Sequence, residues 1–186
     1  MRCTKRGVMS VSFINKLFKS KSNNDFCTAV VLAAGNSQRM GKDKILMPLG
    51  GAPVIAHTLK ALQSAECIDE IVVVTKYESL QELADICNDH GISKASKVVV
   101  GGKTRLESSL IGVSNADERA KYIAIHDGAR PFVTNSLIER VVHSAHQHGA
   151  SAPAVSATDT VRILNAKGAV VETPSRDLVA LMQTPQ

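Results

Sequence analysis

Apolar residues recur along this chain in two alternating rhythms from residue 28 onward. Thr28–Leu32 is an unbroken apolar run and Ile71–Thr75 a β-branched one; Lys97–Val100 is a shorter run and Tyr122–His126 a fourth of the same kind. Such runs, bounded by Gly and polar residues, predict strands covered on both faces. Between them, Pro53–Leu62, Glu78–Asn88, Leu106–Asn115 and Ser136–Gln147 place apolar residues at helical spacing. In Glu78–Asn88, for example, Leu80, Leu83, Ala84 and Cys87 share one face. Pro53 suits a first helical turn and Gly149 a helix end. Ala150–Val155 reads as a fifth strand.

Strict alternation of strand and helix predicts an α/β fold: a Rossmann-like open, mostly parallel sheet with helices on both faces. In such sheets ligands bind beyond the carboxyl ends of the strands. Past Thr158 the rhythm changes. Thr160–Leu164, Asn165–Gly168 and Ala169–Glu172 predict a β-hairpin around a Gly-bearing turn, projecting from the sheet as an arm over residues 158–174. Arg176–Gln186 carries no stop signal, so the domain, residues 27–186, is expected to be C-terminally incomplete.

Composition narrows the possibilities. Aromatic residues are 3% of the chain and Trp is absent. The core is therefore aliphatic, and a base-stacking surface for single-stranded nucleic acid is disfavoured. The net charge of +5 is uneven: the first 24 residues hold Arg2, Lys5, Arg6, Lys16, Lys19 and Lys21 and no acid. The basicity belongs to a leader, residues 1–26, expected to be disordered. A short amphipathic piece, Val11–Phe18, leaves plastid targeting as a minor alternative. Nucleic-acid binding is accordingly not expected of the body of the chain. There is no apolar run of about 18 residues that would span a membrane. Cys3, Cys27, Cys67 and Cys87 are widely spaced with no C-x-x-C, which excludes a zinc framework and fits a reducing cytoplasm.

Two stretches sit where predicted strands end. In the first, Ala33-Ala34-Gly35 offers small side chains that let backbone N–H groups approach phosphate, with Arg39 and Lys44 following as cations. G-x-G-x-x-G is absent, and the P-loop spacing is missed by one residue, with Asp43 where Ser or Thr belongs. Small-residue turns are common, so for Ala-Ala-Gly alone the alternative is a tight strand–helix turn followed by a solvated basic loop. The second stretch is His126-Asp127-Gly128-Ala129-Arg130-Pro131. Asp127 closes a buried strand, where a lone carboxylate is costly unless it is paired or binds a metal. Arg130 is the alternative, structural partner. His143, His146 and His148 near a helix end read as dipole-favoured surface residues.

Phe26–Gln186 resembles the 2-C-methyl-D-erythritol 4-phosphate cytidylyltransferase family. Its Ala-Ala-Gly, Arg-Met and Lys appear in register, as do Gly101-Gly102 with Arg105 and Ser108, His126–Pro131, Asp159-Thr160 and Thr184-Pro185-Gln186. The family's usual Pro-Lys-Gln reads Asp43-Lys44-Ile45, and Lys44 rather than Lys42 is assigned the catalytic lysine. The resemblance implies transfer of CMP from CTP to 2-C-methyl-D-erythritol 4-phosphate, with Mg²⁺ and release of pyrophosphate, in non-mevalonate isoprenoid precursor synthesis. It implies catalytic roles for Arg39, Lys44 and Arg176. Nucleotide contacts fall to Ala33, Ala34, Gly35, Gly101, Gly102, Ser108, Asp127 and Gly128, with Asp127 also the metal ligand. Thr160, Arg176 and Thr184 would hold the acceptor, Arg176 reaching across a homodimer interface made by the arm. Ribitol 5-phosphate or another polyol phosphate is the alternative acceptor. The family's later part, with a further Lys and Asp, does not appear here. A nucleotide-binding protein without turnover is therefore the other alternative.

Overall fold

The structure, a computed structural model, describes residues 25–35 and 43–186. Arg39, Lys42 and the basic leader before residue 25 lie outside the described residues.

Four strands form one parallel sheet: β1 (Cys27–Leu32), β4 (Glu70–Thr75), β5 (Ala95–Val100) and β6 (Tyr122–Asp127), in the order β5-β4-β1-β6. Val30 of β1 lies opposite Val72 on one side and Ile125 on the other. The chain builds outward from β1 to β4 and β5, then returns to place β6 on the opposite flank. This reversal creates a crevice at the carboxyl ends of the central strands. The inner strands β1 and β4 are buried almost throughout, as continuous apolar runs require. At the edge, β5 exposes Ser96, Lys97 and Val100, so the rule that strands are apolar throughout holds only for the interior.

Helices cover both faces. Ala29, Val31, Ile71 and Val73 share one core with residues from α1 (Val54–Ser64), α2 (Leu80–Asp89) and α4 (Asn135–His148), among them Leu59, Leu83 and Ile138. Burying each such side chain contributes about 1.5–3 kcal/mol. The opposite face carries α3 (Arg105–Ser114). There a Cβ added to Gly112 would fall 2.2 Å from Val30 Cγ1, so the helix backbone rests directly on the sheet.

Helix ends follow local chemistry. Thr104 and Glu107 form a reciprocal capping box on α3, Thr134 accepts from Leu137 N on α4, and Gly149 ends α4 at φ +86°. Pro53 stands just before α1 rather than inside it. A 3₁₀ turn, Tyr77–Ser79, precedes α2, so this helix starts two residues later than its spacing predicts.

The amino ends of the strands are tied together by one acid. Glu70 Oε2 accepts from Thr28 Oγ1 of β1 (2.7 Å) and from Asp117 N (2.8 Å), while Oε1 accepts from Ser96 Oγ of β5. Burial pushes its pKa up, but these three donors outweigh burial and hold it below the ordinary value.

The expected fifth strand does not join the parallel sheet. Only β7 (Ala154–Ser156) forms, and it pairs antiparallel with β10 (Ala180–Met182). Pro153 lacks the N–H a central strand needs, and its carbonyl accepts from Gln183 N instead. Gln186 takes the flank of β6, exchanging both backbone hydrogen bonds with Ile125 (2.7 and 2.9 Å). The hairpin forms as expected: β8 (Ile163–Leu164) pairs with β9 (Val170–Glu172). Its turn is held by Asn165 Oδ1, which accepts from Lys167 N and Ala169 N. The remaining short ladder joins β2 (Pro48–Leu49) to β3 (Ala52–Pro53). Among the described residues no helix is long and apolar enough to cross a membrane.

Candidate functional site

The carboxyl ends of all four parallel strands open into one cleft of about 1110 Å³. Leu32 ends β1 there, Thr75 β4, Val100 β5 and Asp127 β6. Ala33 and Gly101 continue their strands by one residue: Ala33 N donates to Val74 O and Gly101 N to Thr75 O, each at 2.7 Å. The small-residue turn and the Gly-Gly turn then meet. A Cβ on Gly101 would lie 2.9 Å from Ala34 Cβ and 2.8 Å from Ser108 Oγ, so glycine is what permits this approach. Ser108 is buried, and its hydroxyl accepts from Gly102 N, which holds the second turn against the start of α3.

Lys44 lines the cleft within a tight turn in which Leu46 N donates to Asp43 O. The next residue, Ile45, plugs into the core, and its carbonyl accepts from Ile55 N at 2.9 Å. The lysine is thus carried on an anchored stem. Lys76, Lys103 and Arg105 also line the cleft, giving it a cationic wall.

Asp127 faces this wall and is paired twice. Arg105 reaches Oδ1 at 3.3 Å across the cleft, and Arg130 Nε reaches Oδ2 at 3.0 Å. Arg130 also donates to Gln183 Oε1 at 2.6 Å. The carboxylate at the end of a buried strand is therefore compensated, as its position demands. His126, just before it, is fully buried, and neither ring nitrogen has a hydrogen-bond partner among the described residues. Burial pushes its pKa down to about 4, against the upward pull of Asp127. It is neutral at physiological pH.

Ala33, Ala34, Gly35, Lys44, Gly101, Gly102, Ser108 and Asp127 thus converge on one cleft. Other predicted residues do not. Gly128, expected at the nucleotide, packs beneath the cleft: its N donates to Leu32 O and its carbonyl accepts from Thr58 Oγ1. Thr184, expected at the acceptor, is buried, and its hydroxyl accepts from Asp127 N at 3.3 Å. Thr160 on the arm and Arg176 just past it are exposed, outside the cleft lining, with Arg176 Nη1 donating to Thr158 O at 3.1 Å. Lys76 and Tyr77 belong to the cleft although no motif contains them. Their signal was position, directly after a buried strand on the edge where ligands bind.

The comparisons agree with this geometry. The family described as IspD, 2-C-methyl-D-erythritol 4-phosphate cytidylyltransferase, matches residues 27–186. A Clostridium botulinum protein of that name is 37% identical over 161 residues, covering 86% of this chain and 70% of the relative. The crystal structure of 4-diphosphocytidyl-2C-methyl-D-erythritol synthase from Anaerococcus prevotii superposes with a TM-score of 0.76 at 28% identity, covering 87% of this chain and 70% of that one. The Francisella tularensis cytidylyltransferase superposes with a TM-score of 0.63 at 28% identity, over 86% and 70% of the two chains. A match spanning the parallel sheet, the cleft and the arm together carries one conclusion: the chain belongs to the 2-C-methyl-D-erythritol 4-phosphate cytidylyltransferase family.

Proposed function

We propose that this chain transfers the cytidylyl group of CTP to the phosphate of 2-C-methyl-D-erythritol 4-phosphate, releasing pyrophosphate. The observation that carries the reading is the convergence of the Ala33–Gly35 turn, the Gly101–Gly102 turn, Lys44 and Asp127 on one cleft. An oxygen of the acceptor phosphate attacks the α-phosphorus. The new P–O bond forms as the bond to the β-phosphate oxygen breaks, and pyrophosphate leaves with that electron pair. No covalent nucleophile is needed, so the protein's work is positioning and fixed positive charge. Backbone amides of Ala34 and Gly35 approach the phosphates. Lys44 neutralises charge developing at the α-phosphate, and Arg39 is assigned the β- and γ-phosphates by motif. Gly101, Gly102 and Ser108 form the side against which the nucleoside rests.

Asp127 fits Mg²⁺. This ion keeps its waters and is commonly held by one or two carboxylates together with substrate phosphates. Among the described residues no three His, Cys, Asp or Glu side chains gather in one place to hold a metal. When bound, it would supply charge neutralisation at the phosphates. Asp127 would exchange Arg105 for it, while Arg130 keeps the carboxylate aimed. Thr160 on the arm and Arg176 just past it are exposed, a placement that supports their use at the cleft of a second copy in a homodimer.

The test is pyrophosphate release with Mg²⁺ and each of the four nucleoside triphosphates, using 2-C-methyl-D-erythritol 4-phosphate or ribitol 5-phosphate as acceptor. Release that needs both CTP and the methylerythritol phosphate is the expected result. Release with ribitol 5-phosphate alone would replace the acceptor. CTP binding without release from either acceptor would leave a nucleotide-binding protein in place of an enzyme.

A further inference from the structure

Asp43 is electrostatically out of place. It precedes the lysine that faces the cleft, where a carboxylate opposes the binding of any polyphosphate. Its charge is met by Lys76 at the end of β4, with Nζ 3.0 Å from Oδ2. Both side chains are largely shielded, at 19% and 26% exposure. The other carboxylate oxygen, Oδ1, is buried with no hydrogen-bond partner among the described residues. Asp43 does not line the cleft, but Lys44 beside it and Lys76 across from it both do.

We propose that Asp43 and Lys76 form a charge-balancing clamp, and that Lys76 is a positioning residue setting how strongly the cleft holds a polyphosphate. The inference rests on the nucleotide reading of the cleft given above. Paired, the two side chains cancel, so Lys76 adds no net charge beside Lys44 on this wall. Without Lys76, a partly buried carboxylate loses its compensation and competes with the ligand for the neighbouring lysine. Without the charge on Asp43, Lys76 is released to the cleft as an additional cation. The two single substitutions therefore act in opposite directions. A pair that served only to tie the turn to the sheet would weaken binding whichever side was removed.

The experiment is calorimetric titration of the full chain with CTP and, separately, with inorganic pyrophosphate, alongside circular-dichroism melts. Lys76→Met is expected to weaken both ligands about tenfold, the scale of one unbalanced charge near a polyphosphate at an effective dielectric of about 20. Asp43→Asn is expected to tighten both about threefold. The double variant binds more tightly than Lys76→Met alone, and Lys76→Arg stays near wild type. Weaker binding by Asp43→Asn, or unchanged binding in both single variants with normal melts, would overturn the clamp while leaving the cleft reading intact. Wild-type protein that binds neither ligand would defeat the cleft reading and the clamp with it.

Discussion

The cleft and the arm are built by opposite means. Every strand that ends at the cleft belongs to one parallel sheet, and the two inner strands lie between layers of helices. The arm carries one two-stranded ladder, β8 with β9, followed by the ladder of β7 with β10, and their residues, Val155, Val170 and Leu181 among them, are exposed. Isolated two-stranded ladders are marginal in water. The chain's own core therefore fixes the position of Lys44, Ser108 and Asp127, whereas Thr160 and Arg176 stand outside the cleft lining among the described residues. On the proposed function, the nucleotide would be held by residues that the chain's own core positions, and the acceptor by residues that this core does not.

The hardest blow to this contrast would come from stability. Leu59 is fully buried in the core under the sheet. Leu59→Ala is expected to cost about 3 kcal/mol in urea denaturation, while Val170→Ala on the arm stays within about 0.5 kcal/mol. Equal costs would mean that the arm is as much a part of the folded core as the sheet.

Acid sharpens the same division. Burial holds His126 at about 4, below its ordinary value of 6.5. Between these values the unfolded chain binds a proton that the folded chain refuses. The stability is complete above about pH 6.5 and drains as the pH falls toward 4, by about 3 kcal/mol in all. Glu70, held below the ordinary carboxylate range, gives way only at lower pH, as its folded state is protonated in turn. Urea midpoints at pH 7 and 4.5 in wild type and His126→Leu check this, the variant giving the flatter profile. An equal slope in both would remove His126 as the cause.

The smallest expected effect tests the arm's function. Arg176→Ala should reduce kcat/KM for the acceptor about thirtyfold, equivalent to about 2 kcal/mol for a lost charge-assisted contact. Its affinity for CTP should not change. A matching loss of CTP affinity would place Arg176 at the nucleotide and erase the division.

Much of the inner sheet was readable because burial on both faces writes itself into short β-branched runs. The two motif loops were readable because each follows such a run. What local pattern does not record is which neighbour a segment finds. Ala150–Val155 has a strand's composition, yet Pro153 and the pairing with Ala180–Met182 keep it out of the parallel sheet. Gly128 lies within a functional motif but serves the packing of Leu32 and Ile55. Arg105 and Asp127, 22 residues apart, meet across the cleft from opposite edges of the sheet, and Asp43 and Lys76, 33 apart, meet where the turn carrying Lys44 returns to the end of β4. Spacing along the chain says nothing about such pairs until the strand order is known.

Glu70 gives the molecule a mechanical asymmetry. By binding β1, β5 and the segment before β6 at their amino ends, it clamps the sheet on the side away from the cleft. This tie sits a full six-residue strand away from the turns that line the cleft, so strand pairing and ligand contact are held at opposite ends of the sheet.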